Sequence, residues 1–184
     1  MTRLTPVELA NAEGKAKELL TAVKQAMGGT PNIFTTMANA PAALDGYLKF
    51  NGALGQGVLS SQLREQIALT VAGLNGCNYC ASAHTYIGDR TGLSAEELAQ
   101  NLQGQATDSR TQAALTFAKK LVETRGRVSE ADKEAARDAG LNNEEIIEIV
   151  AHVALNVFTN YFNETFNTEV DFPLVSTEVV GATL

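Results

Sequence analysis

Glu65-Gln-Ile-Ala-Leu-Thr-Val-Ala-Gly-Leu-Asn75-Gly76-Cys77-Asn-Tyr-Cys80-Ala-Ser-Ala-His84 is the stretch that decides the fold. Within Ile67–Leu74 only Thr70 and Gly73 are not apolar, so this helix is expected to be buried on every side, at the centre of a bundle. Asn75-Gly76 is a strong helix terminator, and the chain is expected to turn there. Glu65 lies ten residues before Asn75 and His84 eight after Gly76. At about 1.5 Å rise per residue these are about 15 Å and about 12 Å from the turn. A folded-back pair of helices brings the two side chains to nearly the same level, whereas a continuous helix would hold them far apart. The spacing therefore predicts a helical hairpin with functional groups facing inward.

Working outward, the whole chain reads as all-α. Its four prolines are Pro6, Pro31, Pro41 and Pro173, and no segment alternates β-branched with polar residues as a strand would. Capping boxes are expected at Thr5-Pro6-Val7-Glu8, Ser94-Ala-Glu-Glu97 and Asn142-Asn-Glu-Glu145. Stops are expected at Gly28-Gly29, Gly55, Gly57, Asn75-Gly76 and Gly140. The pattern predicts helices over 6–27, 32–38, 41–54, 61–75, 78–89, 94–102, 109–125, 129–139 and 143–166, with a break in the last near Asn156. Ile146–Leu155, polar only at Glu148 and His152, reads as a second helix buried all round. Residues 168–184 read as an extended arm that must pack on something, in an oligomer a neighbouring subunit. A shift of 82 residues sets Leu59 on Leu141, Ile67 on Ile149, Val71 on Val153, Asn78 on Asn160 and Tyr79 on Tyr161. Two related hairpins would explain this, and so would two buried helices of similar composition. Residues 1–184 are expected to form one helical domain.

The chemistry lies in the pattern E-x11-C-x2-C-x3-H. The chain has only two cysteines, Cys77 and Cys80, and two histidines, His84 and His152. Cys77 and Cys80 are adjacent on a helix at i and i+3, and Cys80 shares a face with His84 at i+4. Cys77 sits at the helix start, where free backbone N–H groups and the dipole favour a thiolate. An imidazole can take a thiol proton directly or through water. Glu65 points toward the side that carries Leu69 and Ala72, where partial burial makes a carboxylate a better base. Simpler readings stand beside this one. The cysteines can be small buried hydrophobes, or Cys77, Cys80, His84 and His152 can hold zinc. Alone in an apolar helix, His152 reads as a hydrogen-bonded core residue. Tyr79 either lines a pocket or packs.

Composition narrows the function classes. Net charge is −7, with 21 acidic against 14 basic residues. A nucleic-acid binder needs a basic face, and no Lys/Arg run exceeds two residues. No apolar stretch reaches 18 residues, so no membrane span is expected. The N-terminus lacks the apolar core of a secretory signal, which makes the cytoplasm the expected address. There a C-x2-C pair is normally reduced and works as a catalyst, sensor or metal site.

On Glu65, Cys77, Cys80 and His84, with Arg64-Glu65 and Asn75-Gly76-Cys77 as context, the chain resembles the AhpD-like alkylhydroperoxidases of the carboxymuconolactone decarboxylase superfamily. The resemblance is strongest over about 40–90 and weaker to about 175. Asn160-Tyr-Phe-Asn163 and Val170-Asp-Phe-Pro173 look like the end of a larger, mostly uncharacterised peroxidase-related branch. The resemblance implies an all-α AhpD-like bundle, assembled as trimers or hexamers, that reduces hydrogen peroxide or organic hydroperoxides. It makes Cys80 the peroxidatic thiol, Cys77 the resolving one, and Glu65 and His84 the proton relay. Helix position favours Cys77 as the more acidic thiol, but His84 shares a face with Cys80, and Cys80 is taken as the attacker. The best-known members carry a histidine just before the second cysteine, where this chain has Tyr79. The decarboxylase branch lacks the cysteine pair. No organic cofactor is implied, because the sulfurs themselves hold the two electrons. A dithiol reductant is implied, lipoyl, thioredoxin-like or other. The non-enzymatic alternative is a redox sensor or interaction protein switched by the C-x2-C pair.

Overall fold

The computed structural model describes residues 3–178. After a short 3-10 turn at Leu9–Asn11 the elements are α1 (Gly14–Met27), α2 (Asn32–Met37), α3 (Pro41–Leu54), α4 (Ser61–Asn75), α5 (Asn78–Arg90), α6 (Ala95–Leu102), α7 (Ser109–Thr124), α8 (Glu130–Asp138) and α9 (Asn143–Phe166). No strand occurs among the described residues.

Local chemistry sets most helix starts. The side chains of Ser60, Cys77, Ser94, Asp108, Ser129 and Asn142 each accept a backbone N–H at the start of the following helix. At an oxygen cap such a bond stabilises by about 1 kcal/mol. Ser94 and Asn142 form the expected capping boxes with Glu97 and Glu145. The box at Thr5 does not form, and the first long helix begins at Gly14 instead of near residue 6. The Val7 amide, one of the first-turn donors a Thr5 cap could have satisfied, donates instead to the Thr35 carbonyl at 2.8 Å and ties the N-terminal segment to α2. A tertiary hydrogen bond has displaced a local cap.

The central helix is α4, which packs on α5, α6, α7 and α9. Gln66 through Gly73 are all buried. Leu69 and Ala72 face one apolar cluster, built with α1, α2 and α5. Leu63, Ile67 and Val71 face another, built with α7 and α9. Fully burying side chains of this size stabilises by about 1.5–3 kcal/mol each. Gly73 is needed for close approach, since an added Cβ would lie 1.9 Å from the Leu102 carbonyl oxygen at the end of α6.

Two expectations about α9 are corrected. It runs unbroken through Asn156, whose side chain donates to the His152 carbonyl at 2.8 Å. Where α4 ends at Gly76 in the left-handed region, the 82-residue shift places Phe158, and nothing there stops the helix. The second hairpin therefore does not exist. Nor is α9 buried all round, because Ile147, Val150, Ala154, Phe158 and Tyr161 form an exposed apolar stripe. Phe50 on α3 is exposed as well.

The arm packs on its own chain. Val170, Phe172 and Val175 lie against the first cluster. The Val175 amide donates to Ser82 Oγ (2.9 Å), and the Thr177 amide donates to Asn78 Oδ1 (2.8 Å), both on α5. The expected arm runs to residue 184, and its last six residues lie outside the described ones.

Candidate functional site

The turn between α4 and α5 builds the site. Gly76 takes φ 69°, ψ 22° as the left-handed cap of α4. Its amide bonds Gly73 O, and the Cys77 amide bonds Ala72 O at 3.0 Å. This paired closure satisfies the last carbonyls of α4 and fixes the direction in which the chain returns. Cys77 becomes the N-cap of α5, and α5 folds back on α4.

The hairpin brings the acid and the imidazole together as expected. His84 Nδ1 lies 2.7 Å from Glu65 Oε2, and both side chains are mostly buried. A carboxylate only accepts, so Nδ1 carries the hydrogen and Nε2 is left for proton exchange. Burial pulls the His84 imidazole toward neutrality, but Glu65 and Cys80 outweigh it and raise its pKa above the ordinary histidine value.

The two sulfurs are 2.9 Å apart and both buried. Cys77 Sγ donates to Cys80 Sγ, while the Cys80 amide donates back to Cys77 Sγ at 3.3 Å. Asn163 Nδ2, from α9, donates to Cys80 Sγ at 3.2 Å. The Asn160 amide lies near the same sulfur but falls short of hydrogen-bond geometry. The Cys77 hydrogen bond, followed by the His84 charge and the Asn163 amide, outweighs burial and pushes Cys80 down to about 7. Cys77 is pushed the other way, by donating to Cys80 and by burial. Helix-start geometry suggested the reverse order. One backbone N–H does reach Cys77, but it is outweighed because Cys77 gives up its own hydrogen to its neighbour.

A cavity of about 430 Å³ opens onto Cys80, Glu65 and His84. Its remaining walls are largely apolar, including Val23, Met27, Ile33, Phe34, Leu48 and Phe172. Cys80 lines it and Cys77 does not. Tyr79 lines it too. The Tyr79 ring meets Phe172 edge-on at 5.7 Å, and its hydroxyl accepts from the Ile33 amide at 3.2 Å. Tyr47, from α3, forms another wall, and burial pushes its phenol well above the ordinary tyrosine value.

His152 is buried as expected, but its Nε2 has no hydrogen-bond partner among the described residues. The zinc alternative finds no support, because no group of three or more metal-ligating side chains forms among the described residues. Sequence reasoning missed Tyr47 and Asn163. Nothing local marks Tyr47, which comes from a separate helix. Asn163 left a trace as one of two asparagines, i and i+3, facing inward from an apolar helix. Removing it should show directly in Cys80. Asn163→Leu is expected to move the midpoint of thiol alkylation against pH above about 7, because the thiolate loses a hydrogen bond that favours it. Initial alkylation rates measured across pH 5–9, a window about two units either side of that midpoint, check this.

Comparison with known proteins bears on the fold. Residues 41–124 match the carboxymuconolactone decarboxylase family. An alkylhydroperoxidase AhpD core, an uncharacterized peroxidase-related protein from Ralstonia eutropha JMP134, is 29% identical, with TM-score 0.80 over 93% of each chain. An uncharacterized peroxidase-related protein from Silicibacter sp. TM1040 shares the fold at 21% identity, TM-score 0.77, covering 97% of this chain and 94% of its own. So does a variant of the debrominase Bmp8 in complex with 2,3,4-tribromopyrrole, at 21% identity and TM-score 0.77, covering 93% of this chain and 92% of its own. No curated protein matches. No described helix is long and apolar enough to cross a membrane. With the family match over α3 to α7 and the fold shared along nearly its whole length, this chain is similar to the AhpD-like proteins of the carboxymuconolactone decarboxylase superfamily, which includes enzymes.

Proposed function

We propose that the protein is a thiol-dependent peroxidase of organic hydroperoxides, cycling Cys80 and Cys77 between dithiol and disulfide with Glu65 and His84 as the proton relay. The observation that carries this reading is that the large apolar cavity gives access to Cys80, the more acidic sulfur, beside the Glu65–His84 pair. Hydrogen peroxide needs no apolar chamber of about 430 Å³, whereas the hydrocarbon tail of an organic hydroperoxide does.

The steps balance. The Cys80 thiolate attacks the terminal peroxide oxygen, the O–O bond breaks, and the alkoxide leaves as alcohol with a proton from His84. Cys80 is then a sulfenic acid. Cys77 attacks its sulfur as its own proton passes to the relay, hydroxide departs with that proton as water, and the disulfide forms. A dithiol reductant returns two electrons and two protons. Such a cycle suits a reducing compartment such as the cytoplasm. The test is steady-state consumption of cumene hydroperoxide by the pure protein with excess dithiol. Many turnovers per protein support the reading, and oxidation that stops after one equivalent leaves only the redox sensor.

The aromatic rings of Phe34, Tyr47, Tyr79 and Phe172 all line the cavity, which favours reductive dehalogenation of a flat ring as a second reading. In that reaction two thiols and an aryl bromide give disulfide, arene, bromide and a proton. Bromide release from a brominated pyrrole would support it.

The exposed stripe on α9 and Phe50 on α3 support a homo-oligomer, since apolar faces of this length seldom stay in water. Light scattering is expected to give a multiple of 19.5 kDa, and a monomer mass at micromolar concentration would refute the assembly.

A further inference from the structure

A second chamber, of about 200 Å³, also borders the Glu65–His84 pair and differs in character from the first. It shares Tyr47, Asn51, Glu65 and His84 with the apolar cavity, but its own walls include Arg64, His152 and Asn156. His152 is 4% exposed, and its Nε2 finds no protein partner among the described residues. A buried imidazole nitrogen without a partner is costly, and water is its common resolution where several polar groups and enough room are present. This chamber provides both.

The chemistry proposed above makes that placement meaningful. The relay must load and unload protons in successive steps while substrate or reductant fills the apolar cavity. Its occupant then excludes water from the part of the relay that lines it. The polar chamber reaches the same two side chains with Arg64, His152 and Asn156 as walls of its own. We infer that this chamber is the water-filled proton port of the Glu65–His84 relay, with His152 Nε2 as the hydrogen-bonding anchor of its far wall. The inference rests on the peroxidase reading for its purpose but not for its test. His152 is a positioning residue here, acting on the relay through water. The charged and titratable groups around it are Arg64 and Glu65 from α4, Glu148 from its own helix, and His84 and Tyr47 across the chamber. Burial, then Arg64, keeps its imidazole neutral, so it carries one N–H and one lone pair and can both give and accept a hydrogen bond.

Only two histidines are present, so nitrogen-15 labelling of histidine gives two resolvable ring systems. The experiment is solvent exchange of the His84 ring N–H by NMR in the wild type, His152→Phe and His152→Gln. Phenylalanine fills the chamber with apolar atoms and is expected to slow exchange on the order of tenfold. Glutamine restores a polar anchor and is expected to exchange near the wild-type rate. Wild-type exchange in the phenylalanine variant overturns the port. Exchange in the glutamine variant as slow as in the phenylalanine one also overturns it, since occupied space alone would then explain the effect. Should the phenylalanine variant fail to fold by thermal melt, Asn156→Leu, at a wall the apolar cavity does not share, makes the same test, and unchanged exchange there overturns the port. Peroxide turnover is measured in parallel. A wild type that consumes no peroxide defeats the proposed function and leaves exchange to judge the port. A wild type that turns over, with exchange unaffected in the variants, defeats the port alone.

Discussion

Cys80→Ser is expected to reduce hydroperoxide consumption to the background rate of the reductant alone. The serine hydroxyl is the same shape but does not ionise near neutral pH, so no nucleophile faces the cavity. Cys77→Ser separates the two sulfurs. It leaves Cys80 in the cavity wall with His84 and Asn163 and is expected to consume about one equivalent of peroxide, following the stoichiometry of sulfenic acid formation. The sulfenic acid then persists and can be captured by dimedone and read by mass spectrometry. The reverse pattern, a dimedone adduct on Cys77 in Cys80→Ser, would exchange the roles of the two cysteines.

Glu65→Gln is expected to lower kcat/KM for the hydroperoxide by about 10²-fold, equivalent to about 2.7 kcal/mol of transition-state stabilisation. The amide oxygen of glutamine still accepts from His84 Nδ1, so the imidazole keeps its position and loses only the charge opposite it. The carboxylate is a principal cause holding His84 above its ordinary value, and without it the imidazole deprotonates at lower pH. The imidazolium in turn helps hold Cys80 down at about 7. The sign of the pH profile follows. Activity rises with pH as Cys80 ionises through about 7 and falls again when the raised His84 loses its proton. Glu65→Gln is expected to bring the falling limb to lower pH. An unchanged profile with a lowered rate would mean that Glu65 acts by packing and not by charge.

Much of this was legible because the deciding signals are local. The Asn75-Gly76 break, the i and i+3 cysteines, the i+4 histidine and a helix without a polar face all follow from backbone geometry over fewer than 20 residues. What failed did so for want of tertiary information. Thr5–Glu8 has the pattern of a capping box, yet the Val7 amide is held by Thr35 on another helix. Ile146–Leu155 has the composition of a buried helix, but composition does not say whether every face has a neighbour within the same chain, and Ile147 is left mostly exposed.

The amino-acid sequence by itself determined the all-helical class, the hairpin and the four residues that meet in it, because helix periodicity and a left-handed glycine stop leave few other ways to fold that segment. Only the tertiary structure decided which sulfur is the acidic one. That choice is a balance of burial against hydrogen bonds from Cys77 and from Asn163, 83 positions away, together with the charge on His84. It likewise decided that the Glu65–His84 pair borders both an apolar cavity and a polar chamber, since walls of the two come from α1, α3, α4 and α9, helices that no local pattern pairs.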